Sequence, residues 1–112
     1  MDIEVRSQDQ VKLIKLRGKL SLGDPVDRLR ENFAELMQGG NHRIVLDLSE
    51  VPMVDSSGIG LLVKTCTALK QLGGGIRLLN PSKFTVQTLK MIGLLNLFEI
   101  FEDQQQAVGS FS

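Results

Sequence analysis

The chain has 112 residues, with 13 Lys and Arg against 13 Asp and Glu, so its formal net charge at pH 7 is zero. The two signs are interspersed and form no evident basic patch, which argues against a nucleic-acid or anionic-membrane surface. The aromatic residues are five Phe, and they are not interleaved with Lys or Arg as a base-stacking platform would require.

A chain of this length can bury a continuous core without disulfides or metal ions, so we expect one domain over residues 1–112. The single cysteine, Cys66, cannot form an internal disulfide. The first residues lack both the basic and the long apolar segments of a secretion signal, and no apolar run approaches the roughly 18 residues of a membrane-spanning helix. These features predict a cytoplasmic protein that does not insert into membranes.

The amino-terminal part of the chain predicts a β-hairpin followed by a helix. Residues 3–6 and 11–17 alternate apolar and polar side chains around a polar stretch at 7–10, which is typical of two antiparallel strands. Asp24-Pro25 then offers an N-cap and a first-turn proline, and Gly39-Gly40 offers a stop. We therefore expect the first helix between these two signals.

The middle of the chain predicts a buried strand and a long helix. Residues 44–48 are apolar enough to be covered on both faces, as a central parallel strand is. The next helix should run from about residue 57 to 72 and end at the glycines that follow. Its apolar stripe spans roughly 120° of the helix surface. The stripe consists of Ile59, Leu62, Val63, Cys66 and Leu69.

The last third repeats the alternation of strands and helices. Residues 76–79 predict a strand, and Asn80-Pro81 predicts the start of a third helix that reaches about Met91. We expect this helix to present Val86, Leu89 and Ile92 on one face. A strand at 98–101 and a short helix capped by Asp103 complete the chain.

This order of elements predicts an α/β domain. The sheet should be mixed and largely parallel, with five strands, about four helices and an N-terminal hairpin. The connections between parallel strands should be right-handed.

The motif Asp55-Ser56-Ser57-Gly58 lies where the central strand gives way to the second helix. Helical phase puts Ser57 about 180° from the apolar stripe, which predicts that Ser57 faces solvent and that Ser56 caps the helix. Leu61 is expected on the exposed side, and Gly58 would allow another backbone to approach closely. The motif therefore predicts either a docking surface with a modifiable serine or simply a capped helix, and the residues alone leave both open.

Catalytic interpretations of this motif are weak. A nucleophilic serine needs a base within hydrogen-bond reach, but the sole histidine, His42, precedes the central strand and lies roughly 16 Å or more from the serines. Residues 58–65 approach a phosphate-loop pattern, yet Val63 replaces the required glycine. No Cys and His cluster suggests a metal site. We therefore expect a protein that is not an enzyme and holds no cofactor or metal.

The chain resembles the STAS family, and in particular the bacterial anti-sigma factor antagonists, over nearly its whole length. The resemblance rests on the motif Asp55-Ser56-Ser57-Gly58-Ile59-Gly60 between a buried strand and a long helix. Further segments match that family in order and spacing: Gly18-Lys19-Leu20, Leu78-Leu79-Asn80-Pro81-Ser82, Gly93-Leu94-Leu95 and Phe98-Glu99-Ile100-Phe101.

That resemblance implies regulation by partner switching. The second serine of the motif, Ser57 here, would be phosphorylated by a partner that is both a serine kinase and an anti-sigma factor. The unphosphorylated protein would bind that partner and release a sigma factor. We expect the partner-binding residues to be Leu22, Gly23, Asp24, Met53, Asp55, Ser56, Ser57, Gly58, Leu61 and Lys64. STAS proteins also occur as stressosome-type scaffolds and as cytoplasmic subunits of lipid-transport ABC systems, which are the alternatives.

Overall fold

The computed structural model describes all residues from Met1 to Ser112. The strands are β1 (Asp2–Gln8), β2 (Val11–Arg17), β3 (Arg43–Glu50), β4 (Gly75–Leu79) and β5 (Glu99–Phe101). The helices are α1 (Asp24–Gln38), α2 (Ser56–Gln71), α3 (Lys83–Met91) and α4 (Gln104–Gly109), and a short 3-10 helix (Leu95–Leu97) precedes β5. None of these helices combines the length and apolar character that crossing a bilayer requires.

The five strands form one sheet in the order β1-β2-β3-β4-β5. β1 is antiparallel to β2, and the other neighbours are parallel. The hairpin turns at Asp9 and Gln10, whose φ angles of 52° and 66° are those of the two-residue turn that matches strand twist. The predicted fold class, a mixed and largely parallel sheet with an N-terminal hairpin, is confirmed.

Three helices cover one face of this sheet. A sequential strand order with crossovers of one hand places every crossover helix on the same side, and α1, α2 and α3 are those crossovers. The core on this side joins the strands to all three helices. It includes Ile14, Leu46 and Leu78 from the strands, with Leu29, Leu62 and Leu89 from α1, α2 and α3.

The fourth helix covers the opposite face. Asp103 caps α4 by accepting the backbone N–H of Gln105 at 2.8 Å, as the sequence predicts. Ala107 and Val108 of α4 pack on a second apolar cluster of the sheet. The guanidinium of Arg77 in β4 stacks on the ring of Phe111, 4.0 Å from its centroid, and fastens the end of the chain to the sheet.

Two predicted helix caps are wrong, that of α1 by one residue and that of α3 by two. The N-cap of α1 is Gly23, with φ 105°, and Asp24 is the first helical residue without a capping hydrogen bond. Asn80 has a left-handed φ of 52° and lies in the turn that leaves β4, so α3 begins later. Its cap is Ser82, whose hydroxyl accepts the N–H of Thr85 at 3.1 Å.

Leu61 is buried, which contradicts the prediction that it faces a partner. Only 7% of its surface is exposed, and it lies between α2 and α1 beside Phe33 and Ala34. Helical phase located the side of α2 that faces the sheet, but α1 covers a second side of the same helix. The buried arc of α2 therefore extends beyond the predicted apolar stripe to Leu61 and Thr65.

We expect Leu61→Ala to lower the free energy of unfolding by about 2 to 5 kcal/mol, as does Leu62→Ala, because both truncations leave a cavity in the core. Met91→Ala is the control, since 86% of Met91 is exposed. Denaturant melts measure all three variants. A loss for Leu61→Ala as small as that of Met91→Ala would show that α1 does not hold the side chain in the core.

Candidate functional site

The motif 55–58 lies at the edge of the sheet where the parallel strands end and the crossover helices begin. Leu20, which follows β2, forms a parallel bridge with Val54, which follows β3. The N–H of Leu20 donates to the carbonyl of Met53 at 3.1 Å, and the N–H of Asp55 donates to the carbonyl of Leu20 at 3.1 Å. These bonds join the segment before α1 to the segment before α2.

The carboxylate of Asp55 completes this junction. Its Oδ1 accepts the N–H of Gly58 at 2.9 Å and so caps α2. Its Oδ2 accepts the N–H of Leu22 at 2.9 Å and so holds the loop before α1. Asp55, rather than Ser56, is therefore the cap of α2, and one side chain positions both the helix and the neighbouring loop.

These hydrogen bonds lower the pKa of Asp55 below its ordinary value of 3.8. The N–H of Gly58 is the main cause, followed by that of Leu22, and the N–H of Ser57 adds to them. Partial burial opposes the shift by disfavouring the charged form. Asp55 is therefore ionised at neutral pH, and its charge is compensated by backbone dipoles.

Gly58 is required because α2 begins in close contact with the preceding segments. A Cβ at this position would lie 2.7 Å from Cγ1 of Val54 and 2.9 Å from the carbonyl oxygen of Leu20. Both distances are shorter than real Cβ contacts allow. The sequence prediction of a close backbone approach at Gly58 is confirmed, and the approaching backbone is that of Leu20.

The exposure of the two serines differs from the prediction. Ser56 is exposed and is the first residue of α2, whereas Ser57 is half-buried. The prediction that Ser56 caps the helix is therefore wrong, and Ser57 is less exposed than predicted although it is not buried.

The other predicted contact residues divide into two groups around the motif. Leu22, Gly23 and Asp24 are exposed in the loop that Asp55 holds, with Leu22 exposed by 77%. Met53 is half-buried at the opposite side of the motif, and Lys64 is exposed further along α2. The structure thus brings the loop and the motif together, and of the predicted set it removes Gly58 and Leu61 from the surface.

The sequence analysis missed a groove between α2 and α3. Its volume is about 870 Å³. The groove is lined by Met53, Ser56, Ile59, Val63, Lys64, Phe84, Thr88, Ile92 and Leu94, among others. Ile92 was expected to share a face with Leu89, but it is 52% exposed while Leu89 is buried. The sequence held one sign of this groove: the large apolar residues Phe84 and Met91 do not belong to the predicted inward face of α3, and both are exposed in the structure.

His42 lies far from this site. It lines a separate pocket with Gly73 and Gly74 at the opposite edge of the sheet, where α1 and α2 end. Histidine, cysteine, aspartate and glutamate side chains do not come together in a group of three that could hold a metal ion. What the site offers is an exposed hydroxyl, Ser56, beside a rigidly held loop.

Comparison with known proteins agrees with this geometry. The family model for the STAS domain matches residues 2–107. The chain is 30% identical over 102 residues to the anti-sigma-B factor antagonist of Staphylococcus aureus, covering 91% of this chain and 94% of that protein.

Solved structures show the same fold. The anti-sigma factor antagonist SpoIIAA in its unphosphorylated form has a TM-score of 0.82 and 22% identity, covering 97% of this chain and 95% of that one. The phosphorylated form of SpoIIAA from Bacillus has a TM-score of 0.79 and 21% identity, covering 99% of this chain and 100% of that one.

We expect Asp55→Ala to lower the free energy of unfolding at pH 7 by about 1 to 2 kcal/mol, since a helix cap and a loop hydrogen bond are lost. A lowered carboxyl pKa stabilises the folded state above the unfolded pKa, and this stabilisation is lost as pH falls through the folded pKa. The difference between wild type and variant should therefore shrink below pH 3.8, the ordinary value. Denaturant melts between pH 7 and pH 2 measure this difference in free energy of unfolding. Asp24→Ala is the control, because Asp24 is exposed. A difference independent of pH would contradict the charged cap.

We expect Gly58→Ala to destabilise the domain by about 1 to 3 kcal/mol, because the added methyl group collides with Leu20 and Val54. Gly60→Ala is the matched control in the same helix, since its Cβ would meet nothing within 4 Å. Replacing glycine by a better helix former there should stabilise the domain by about 0.5 to 1 kcal/mol. Thermal melts measure the stability of both variants. Stability changes of the same sign at both positions would disprove the close contact at Gly58.

Proposed function

Because the chain belongs to the STAS domain family, we propose that it is an anti-sigma factor antagonist that acts by partner switching. In this proposal the unphosphorylated protein binds an anti-sigma factor, and the sigma factor held by that partner is released. The partner is also the serine kinase that phosphorylates the motif and thereby ends the complex. The protein acts in the cytoplasm, where sigma factors engage RNA polymerase, and has no catalytic activity of its own.

The observation that carries the proposal is the pair of hydrogen bonds made by Asp55. They hold the exposed loop at Leu22 against the start of α2, next to the exposed Ser56. A partner can therefore contact the loop and the serine at once without rearranging either. A surface held in this way loses little conformational entropy on binding, which favours affinity.

A phosphate at this point would change the surface without unfolding the domain. It adds about −1.5 to −2 charges at pH 7. Anions at a helix N-terminus are favoured by roughly 0.3 to 1 kcal/mol, which offsets repulsion from the neighbouring Asp55 carboxylate. An opposing protein surface must instead desolvate the phosphate or meet it with like charge, so the complex is weakened while the free domain stays folded.

We place the phosphate on Ser56. The sequence analysis favoured Ser57 on two grounds, helical phase and its match to the second serine of the family motif. In the structure, however, Ser56 is exposed while Ser57 is half-buried. A kinase needs access to the hydroxyl and room for its own backbone around it, and Ser56 meets that need. That SpoIIAA has been solved in phosphorylated and unphosphorylated forms supports a phosphorylation switch on this fold.

We expect Ser56→Asp to weaken binding to the cognate anti-sigma factor by at least about tenfold, with the melting temperature changed by only a few degrees. Ser56→Ala should bind but resist phosphorylation, whereas the matched control Ser57→Ala should bind and still be phosphorylated. Calorimetry measures binding, and mass spectrometry after incubation with kinase and ATP locates the phosphate.

Three results would contradict parts of this proposal. Phosphate on Ser57 alone would return the switch to the position that the sequence favoured. No phosphate on either serine would remove the kinase from the mechanism. Failure to bind any anti-sigma factor, with binding to an ABC transporter subunit instead, would favour the transport alternative.

A further inference from the structure

The outer edge of β1 is the long open edge of the sheet. β1 is the first strand in the sheet order and pairs only with β2. It has seven residues, contains neither proline nor lysine, and keeps its register with β2 without a bulge. The opposite edge strand, β5, has only three residues. Natural proteins usually protect a long edge with proline, lysine or a bulge, because an unprotected edge pairs with another chain. β1 is therefore the edge that is open to a further strand.

Every second residue of β1 directs its backbone N–H and carbonyl away from the sheet. The two-residue turn that follows Gln8 makes Gln8 and Val11 a pair that exchanges both hydrogen bonds. Because such pairs alternate along an antiparallel ladder, the even-numbered residues of β1 bond inward to β2. The outward groups belong to Ile3, Val5 and Ser7. These N–H and carbonyl groups have no strand partner.

The exposed charges of β1 have opposite signs. Arg6 lies opposite Leu13, a residue of the apolar cluster under α4, so Glu4 and Arg6 project from that face of the sheet. Arg6 takes part in none of the ion pairs of the structure. Glu4 makes only a 3.7 Å contact with Arg17, whose guanidinium lies closer to Glu50, at 3.3 Å. Both charges of β1 are therefore available to a further strand.

We propose that β1 pairs with β1 of a second copy of this chain, antiparallel and with Val5 opposite Val5 of that copy. The two five-stranded sheets then form one continuous sheet. Ile3 lies opposite Ser7 of the second copy, so the outward backbone groups of both strands satisfy one another. Glu4 lies opposite Arg6 of the second copy, in a non-hydrogen-bonded pair, where side chains come closest. This inference goes beyond the proposed function and does not rest on it.

The charges select this register among the possible ones. The outward groups can match only in registers that differ by two residues. A shift of two residues in one direction places Glu4 opposite Glu4 of the second copy, and a shift in the other direction places Arg6 opposite Arg6. Like charges directly opposite each other are destabilising. The register centred on Val5 instead forms two ion pairs, and it covers the Val5 side chain, which is 40% exposed in the single chain.

This self-complementarity favours a second copy over a strand of another protein. A strand that fits β1 needs a basic residue opposite Glu4 and an acidic residue opposite Arg6, and β1 itself meets both needs when it is reversed. The pairing is two-fold symmetric and uses both long edges, so it closes as a dimer. Only the three-residue β5 edges remain at the two ends of the joined sheet.

The test is sedimentation equilibrium of the whole chain from about 1 μM to about 1 mM, where we expect the mass of a dimer at the upper end. Arg6→Glu and Glu4→Arg should each weaken dimerisation at least about tenfold, because each places like charges opposite each other twice. An equimolar mixture of these two variants should regain the dimer mass, since the acidic strand of one faces the basic strand of the other. Lys90→Glu, at an exposed position of α3, is the control that should dimerise as wild type does.

A second pair of variants tests the backbone hydrogen bonds. Val5→Pro removes an outward N–H and leaves the bonds between β1 and β2 in place, so it should be folded and monomeric. Val5→Thr keeps the N–H and should remain dimeric. In the wild type at high concentration, the N–H groups of Ile3, Val5 and Ser7 should exchange with solvent at least about tenfold more slowly than in Arg6→Glu. Thermal melts check that each variant is folded.

Several outcomes would overturn the inference. These are a wild type that stays at the monomer mass at the highest concentration, a mixture of the two charge variants that stays monomeric, or a mass that keeps rising beyond that of a dimer. A dimer that persists in Arg6→Glu and in Val5→Pro would place the interface elsewhere on the domain. Because these measurements use this chain alone, their failure leaves the proposed switch standing, and failure of the switch leaves this inference standing.

Discussion

The surface of this domain depends on the two hydrogen bonds that the carboxylate of Asp55 accepts. It is an N-cap, a common local device, but its second oxygen holds a loop 33 residues earlier in the chain. The contact is possible only because Gly58 lets α2 begin directly against the backbone of Leu20. Helix start, loop and strand end therefore form one rigid unit. The exposure of Ser56 is a consequence of that unit and not of helical phase alone.

Much of the fold could be predicted from the sequence, because the strand and helix patterns reflect burial that each element carries locally. The ends of the helices and their buried faces were harder to predict. Leu61 was misplaced because helical phase locates only the face toward the sheet, and α1 adds a second buried side. Asn80 resembled a cap, but a left-handed φ placed it in the preceding turn. The cap of α2 was assigned to Ser56, one residue too late, although the bond from Asp55 to Gly58 is local. The second hydrogen bond of Asp55, to Leu22, joins residues far apart in the chain and could not be read from the sequence.

Net charge also concealed a feature of the molecule. Equal numbers of acidic and basic residues suggested a surface on which the two signs are mixed. The acidic residues, however, lie mostly in the first half of the chain and at its end. The crossover topology places α2 and α3 on the same face of the sheet, so the four lysines of the acid-free segment 56–98, Lys64, Lys70, Lys83 and Lys90, all lie on helices of that face. Sequence order and spatial grouping coincide here because the sheet is built sequentially.

The two faces of the sheet are protected very unequally. Three crossover helices are threaded between strands and cannot leave one face without breaking the sheet, whereas α4 follows the last strand and has only six residues. Its detachment requires no strand to move. The carboxyl-terminal helix is therefore the natural first unit to open in native-state hydrogen exchange. Its opening would uncover Val45 and Leu79 in the middle of the sheet, so the solubility of the domain depends on its least anchored element.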